Sequence, residues 1–405
     1  KNIILSMNFI LTKYIYPTSE KLVLSEKMNF TLDNPRSKEE IEVVKANLEK
    51  SLNSPEEFYE DDYYANLPVY NTDETKDYVT IENTLTEFEK NYGEKDSYVK
   101  EFFKKESDSD VIEKLAKMWI IGRFDDAGEY ERMAKVQKEM IEKGEKGFFR
   151  LDKGNPIVDN SDNLVSYAHL ISLLVHTQKE HYYGGSFFLH NDNFSLQRPK
   201  IDRFLNQTVL LFSFSSVTAE NNHEEDKWKS FLHIRNDLKK VCEKVDSIID
   251  ETNKEKLLFI SNLLFVAGEE IKDVRYKLVT LVSVIELLLT HSPNYNRFNV
   301  EDSISKQFKL KTSILVYQNN NKIDLDNLKL RLRDIYNQRS NIAHGNFKSL
   351  DKYLESEVKK EKLKDADIDK TIILERLVSD VYSYIRAILE EYIKDKKLVE
   401  YIKEN

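Results

Sequence analysis

A chain of 405 residues is long enough for two or three domains, and its 40% apolar and 33% charged residues exclude global disorder. A formal charge of −10 excludes a protein that coats nucleic acid non-specifically, although a small local basic cleft remains open to it. The single cysteine, Cys242, excludes an internal disulfide and a thiolate metal cage, and points to a reducing cytoplasm.

The opening KNIILSMNFIL is apolar but interrupted by Asn2, Ser6 and Asn8. It has no small-residue cleavage site, so it is not expected to act as a secretory signal. No run approaches the roughly 18 apolar residues of a membrane span, and no membrane association is expected. Up to about residue 222 the signals are mixed. Strand-like runs fall at Lys21–Leu24, Tyr78–Ile81, Gly147–Leu151, Ser186–His190 and Thr208–Phe214. Helix-like runs fall at Lys38–Leu52, Val111–Ile121, Glu129–Lys143 and Leu164–Thr177. Acidic or turn-rich stretches, Glu56–Asp62 and Asp152–Asp162, separate them. Residues 1–222 are therefore expected to form an α+β domain, one suited to sensing or regulation. From 223 to 405 the pattern is almost purely helical, with the boundary expected within 215 to 230. Long segments run near Glu225–Glu251, Lys254–Glu269, Asp273–Thr290, Val300–Tyr317, Leu325–His344 and Ile368–Lys394, and Pro293 follows one helix exit.

The segment ending at His344 carries the clearest chemical signal. Its apolar positions are Leu325, Leu328, Leu332, Ile335 and Ile342, and Arg339 occupies the beat between the last two. A cation on an inward stripe needs a partner or a cleft. Leu278–Leu289 is apolar nearly all round and has one charge, Glu286, which is the expected partner. That pair alone is equally well a structural ion pair. His344 follows five residues after Arg339 and precedes Gly345, a natural helix C′ residue, so it should sit in the final turn near an open edge. Its titration range suits proton transfer at neutral pH, although a histidine there is also a favourable dipole contact. Asn341 lies between the two.

The string LRDIYNQRSNIAHG, Leu332 to Gly345, resembles the Arg-x4–6-His signature of HEPN domains, and in particular the ApeA-like branch. LVTLVSVIELLLT resembles that family's apolar helix with an embedded glutamate, and ISKQFKLKTSILV its middle helix. The likeness spans roughly Lys272 to Gly345, with Ile368–Lys394 as a final helix. One departure is Ser340 directly after the arginine, where HEPN nucleases often carry Asn, Asp or His. The resemblance implies an all-α HEPN-type bundle and a metal-independent endoribonuclease. In that chemistry the ribose 2′-hydroxyl attacks the adjacent phosphate and leaves a 2′,3′-cyclic phosphate. It implies Arg339 and His344 as catalytic, with Asn341, Glu286, Tyr336 and Ser340 supporting. No metal and no cofactor are expected. The implied partners are an RNA substrate such as tRNA, a second copy of the chain docked through the helical domain, and a phage-derived trigger sensed by the N-terminal domain. The implied role is an anti-phage effector that arrests growth.

Other features carry little. His169 and His176 share a helical stripe, and His181, His190 and Asp192 flank a Tyr-Tyr-Gly-Gly turn; both groups are better read as core or surface residues than as metal ligands. Trp119 and Trp228 fit amphipathic helices as core residues. The stretch Glu357–Asp367 reads as a solvated face before it reads as an RNA-steering patch. The competing functional expectation is a HEPN-like dimerisation or ligand-binding module without catalysis, which needs the Glu286–Arg339 pair but not His344. A metal-dependent nuclease in the N-terminal half is a third.

Overall fold

The computed structural model describes residues 9–52, most of 82–124, 156–175, 231–291, 303–361 and 369–404. It is mostly helical, with a small antiparallel sheet near the N-terminus followed by a helical region. The chain divides into two compact units, one of residues 1–165 and 187–242, the other of 166–186 and 243–405.

In the first unit, β1 (Phe9–Ile15), β2 (Leu22–Ser25), β3 (Phe30–Asp33) and β4 (Trp119–Arg123) form one four-stranded sheet in the order β1-β4-β3-β2. β2 and β3 are a hairpin whose turn uses Asn29 at φ 57°, a left-handed conformation that asparagine tolerates. β4 inserts between β1 and β3, pairing Leu11 with Ile121 on one side and Asp33 with Ile121 on the other. Helix α1 (Lys38–Leu52) starts in a reciprocal cap. The Ser37 hydroxyl accepts from the Glu40 N–H at 3.1 Å, and the Glu40 carboxylate accepts from the Ser37 N–H at 3.2 Å. α2 (Ser97–Lys105) and α3 (Val111–Met118) follow, and α1 packs on α3 through the fully buried Val44 and Leu48.

Asn34 joins the sheet to its surroundings. Its Nδ2 donates to the carbonyls of Tyr16 (3.0 Å), Met118 (3.0 Å) and Trp119 (3.1 Å), and its Oδ1 accepts from the Thr18 N–H at 2.6 Å. Its own carbonyl accepts from Arg123, whose guanidinium also pairs with Glu40. Burial pushes the Glu40 carboxyl up, but Arg123 and the N–H groups of Arg36 and Ser37 together outweigh it and hold the group at about 2.

Two expectations are corrected here. The helix expected over Val111–Ile121 stops at Met118, and Trp119-Ile120-Ile121 enters the sheet. A continuous apolar run does not distinguish a buried helix from a strand buried on both faces, and these three side chains are wholly buried. Trp119 is therefore core, as expected, but in a strand. Asp152–Asp162 is not all turn, because α4 spans Pro156–Val175; proline at the first helical position leaves no hydrogen bond unmade. Tyr78–Ile81, Gly147–Leu151, Ser186–His190, Thr208–Phe214, Glu129–Lys143, Glu56–Asp62, Trp228, His176, His181, His190, Asp192, Pro293 and the 215–230 boundary stretch lie outside the described residues.

Helix α5 (Phe231–Ile248) falls in the first unit as far as Cys242 and in the helical unit beyond it, and the helical unit continues with α6 (Lys254–Phe265), α7 (Val274–Leu289), α8 (Ile304–Asn319), α9 (Leu325–Ala343), α10 (Phe347–Glu361), α11 (Lys370–Lys394) and α12 (Lys396–Glu404). α6 runs into a π-helical turn, Val266–Glu270. Acidic or hydroxyl side chains start most of these helices. Asp273, Ser303, Asp324 and Asp369 each accept a backbone N–H of the first turn. α7 is the hub and packs against α6, α8, α9, α11 and α12; α11 in turn packs on α8, α10 and α12. Leu278, Leu281, Val282, Val284, Ile285 and Leu289 of α7 are wholly buried, as its all-round apolar sequence requires. His169 of α4 is also buried, edge-on to Phe265 with ring centroids 5.9 Å apart.

α10 and α12 have no counterpart among the expected elements. α10 buries only Leu350 and Leu354, a stripe too narrow to stand out in a highly charged segment. α12 is tied down by main-chain contacts. The Lys403 carbonyl accepts from the buried Lys311 ammonium at 2.7 Å and lies 2.8 Å from His291 Nδ1, while Lys403 Nζ donates to the Leu287 carbonyl at 2.8 Å.

Candidate functional site

α7 and α9 pack together, with Glu286 on one and Arg339 on the other. The structure joins them: Arg339 Nη2 donates to Glu286 Oε2 at 2.8 Å, with the two side chains 23% and 15% exposed. Tyr336, one turn earlier on α9, lies under the guanidinium at 5.9 Å from ring centroid to Cζ and leans on Phe308 of α8 at 5.2 Å. Arginine over an aromatic face gains from the ring quadrupole, so the guanidinium is held from two directions. Its Nε–H is buried and has no acceptor among the described residues. Glu286 takes an Nη2 donor, and the buried Nε is closed to a ligand, so a phosphate contact falls to the exposed part of the guanidinium.

Burial pushes the Glu286 carboxyl up, and the opposing pull of Arg339 and Tyr336 does not fully cancel it. The Tyr336 hydroxyl is raised too, by burial first and then by the Glu286 charge. An arginine with a partly exposed edge can meet a phosphate oxygen through donors that Glu286 does not take.

The C-terminal end of α9 is sharply built. His344 is the C-cap, and Gly345 follows at φ 69°. The Asn346 N–H returns to the Asn341 carbonyl at 2.7 Å and the Gly345 N–H to the Ile342 carbonyl at 3.1 Å, the paired bonds of a glycine-terminated helix. The Leu350 N–H donates to the Asn346 carbonyl at 3.2 Å, so a three-residue turn joins α9 to α10. His344 projects from that turn, exposed, and its ring makes no hydrogen bond with the described residues.

Glu286, Tyr336 and Arg339 thus come together as one group. Ser340 is half-buried, and its carbonyl accepts the His344 backbone N–H at 3.0 Å. Asn341 turns away, donating from Nδ2 to Gln338 Oε1 at 3.0 Å. The His344 ring is not in hydrogen-bond contact with Arg339. Five residues on a helix separate two Cα atoms by about 7–8 Å along the axis and about 140° around it. Any meeting of imidazole and guanidinium on one phosphate depends on the reach of the arginine side chain, or on a second copy.

Phe308, which backs Tyr336, has no sequence signal linking it to the site, because the contact crosses between helices. Among the described residues, no group of three or more His, Cys, Asp or Glu side chains is gathered as metal ligands would be. Among them, too, no helix is long and apolar enough to cross a membrane. No protein-family model, no curated protein and no solved structure matches the chain.

Proposed function

We propose that the helical unit is a metal-independent endoribonuclease of the HEPN kind, with Arg339 and His344 as its catalytic pair. The observation that carries the reading is Arg339, braced by Glu286 with an edge left exposed, on the same helix that ends in an exposed histidine. In this chemistry the 2′-oxygen of a ribose bonds to the adjacent phosphorus as the bond to the 5′-oxygen breaks. One imidazole takes the proton from the 2′-hydroxyl, and a protonated imidazole delivers one to the departing 5′-oxygen. Arginine neutralises the charge that accumulates on the non-bridging oxygens. A single His344 cannot be base and acid at once, and the wide angle between Arg339 and His344 leaves a phosphate poorly spanned by one copy. Both points favour a homodimer through the helical unit, two copies of His344 serving one cleft. The sheet-bearing part goes with sensing a phage-derived trigger, and the biological setting with arrest of an infected cell through cleavage of tRNA or other cellular RNA.

The test is RNA cleavage by the full chain in excess EDTA, comparing it with His344→Ala. Cyclic-phosphate ends from the first and none from the second are expected. Full cleavage by the variant would remove His344 from the reaction. One observation favours a second reading: a single Glu286–Arg339 hydrogen bond is enough to set the register of α7 on α9 without any chemistry. A chain that binds a second copy and cuts no RNA would be this non-catalytic module.

A further inference from the structure

Next to His344, across the three-residue turn, the structure holds an aromatic that packing does not explain. Phe347 opens α10 and is 45% exposed. The guanidinium of Arg275, at the start of α7, sits over its ring at 5.6 Å. Arg275 is itself fixed, donating from Nε to Asp273 Oδ1 at 3.0 Å and from Nη2 to Asp273 Oδ2 at 2.5 Å. Asp273 is in turn the N-cap of α7. The result is a stacked pair at the surface, tied through Asp273 to the start of α7.

The first two turns of α10 add charge of an unexpected sign. Helix N-termini favour carboxylates, yet the first turn of α10 has none, while Lys348 and Lys352 lie four apart on one face, both exposed. Neither makes an ion pair with the described residues. The carboxylates of this neighbourhood are engaged: Asp273 by Arg275, and Asp351 by Lys370 at 3.3 Å. Helix stability does not account for free cations at this end.

Together these features point to a ligand that is flat, apolar on its faces and negatively charged along its length. We propose that Phe347, backed by Arg275, is a stacking platform for an unpaired base of single-stranded RNA, and that Lys348 and Lys352 hold the flanking phosphates. The platform rests on the nuclease reading in that it names the substrate form: a base beside the scissile phosphate must be splayed out of a helix to reach Phe347. Aromatic stacking tolerates any base, so the platform selects single strands over duplex rather than one sequence over another.

The test uses the full chain carrying His344→Ala, so that RNA is bound without being consumed. Fluorescence anisotropy is read with a labelled mixed-sequence single strand and with a duplex of equal length. Adding Phe347→Ala should weaken single-strand binding between about five- and a hundred-fold, and duplex binding by much less. Phe347→Trp should restore it. Replacing Lys348 and Lys352 by Gln should lower the salt slope for the single strand by about 1.4, the value for two phosphate contacts. Circular dichroism checks that the variants are folded, and the exposure of Phe347 makes misfolding an unlooked-for result. Equal binding by the Ala, Trp and parent chains, or an equal loss on both RNAs, overturns the platform. Cleavage by the chain with His344 intact separates the two claims. Cutting without dependence on Phe347 removes the platform alone, and Phe347-dependent binding without cutting removes the nuclease alone. No binding of either RNA removes both.

Discussion

The sheet junction of one unit and the candidate site of the other use polar side chains in opposite ways. In the sheet-bearing unit, Asn34 is buried and its amide is committed to four backbone groups, three of them around the sites where helix or loop becomes strand. At the candidate site of the helical unit the polar groups are left open instead: Arg339 is partly exposed and His344 stands in solvent, while the buried Lys311 with His291 closes a helix terminus. The difference follows from the backbone. A helix satisfies its own N–H and C=O groups except at its ends, so its side chains are left free elsewhere. A small sheet assembled from distant segments leaves carbonyls at every junction, and a buried carbonyl without a donor is costly.

Substitutions can break or sharpen this contrast. The largest expected effect is on activity without stability: His344→Ala should lower RNA cleavage by roughly 10²- to 10⁴-fold. Amide hydrogen exchange in α9 should stay unchanged, and a matching loss of protection would make His344 structural. Glu286→Ala should do both, leaving Arg339 half-buried without its carboxylate at a cost of about 2–3 kcal/mol, measured by urea denaturation, and lowering cleavage as well. Asn34→Ala should reverse the pattern. Stranding buried backbone groups costs about 1–3 kcal/mol, visible as faster amide exchange in Trp119–Arg123, with no direct effect on the chemical step. Gly345→Ala should cost about 1 kcal/mol, all of it conformational, because an added Cβ meets nothing within 4 Å and only the φ of 69° resists it.

The smallest effect is a pH signature confined to the sheet. Glu40 is depressed in the folded chain from its ordinary 4.5 to about 2. Its contribution is therefore complete above the unfolded value and disappears as pH falls from 4.5 towards 2. Amides of β3 and β4 should lose protection across that window, and Glu40→Gln should flatten the response.

Legibility followed the same divide. The ends of α7, α8, α9 and α11 could be read to within a few residues because a 3.6-residue stripe is local and cap residues punctuate it. The Glu286–Arg339 pair was legible for the same reason, as each charge interrupts an apolar stripe. β1 and β4 were not, since their partners lie more than a hundred residues apart along the chain and Trp119-Ile120-Ile121 shows no alternation. The orientation of Asn341 towards Gln338 and the seat of Arg275 over Phe347 were also out of reach. Both depend on where a side chain turns after the backbone is placed, which spacing does not encode.

The anchoring of α12 has an evolutionary reading. Its acceptor for Lys311 and His291 is a peptide oxygen, which every residue type at 403 supplies equally. Point changes at the exposed positions of that final segment leave this contact in place, whereas the buried Val399 and the Lys403 ammonium on the Leu287 carbonyl depend on their side chains. A proline or a shift in register would move the peptide oxygen itself. Relatives of this chain should therefore hold Lys311 and His291 more strictly than residue 403, where a change of side chain removes only the bond to the Leu287 carbonyl.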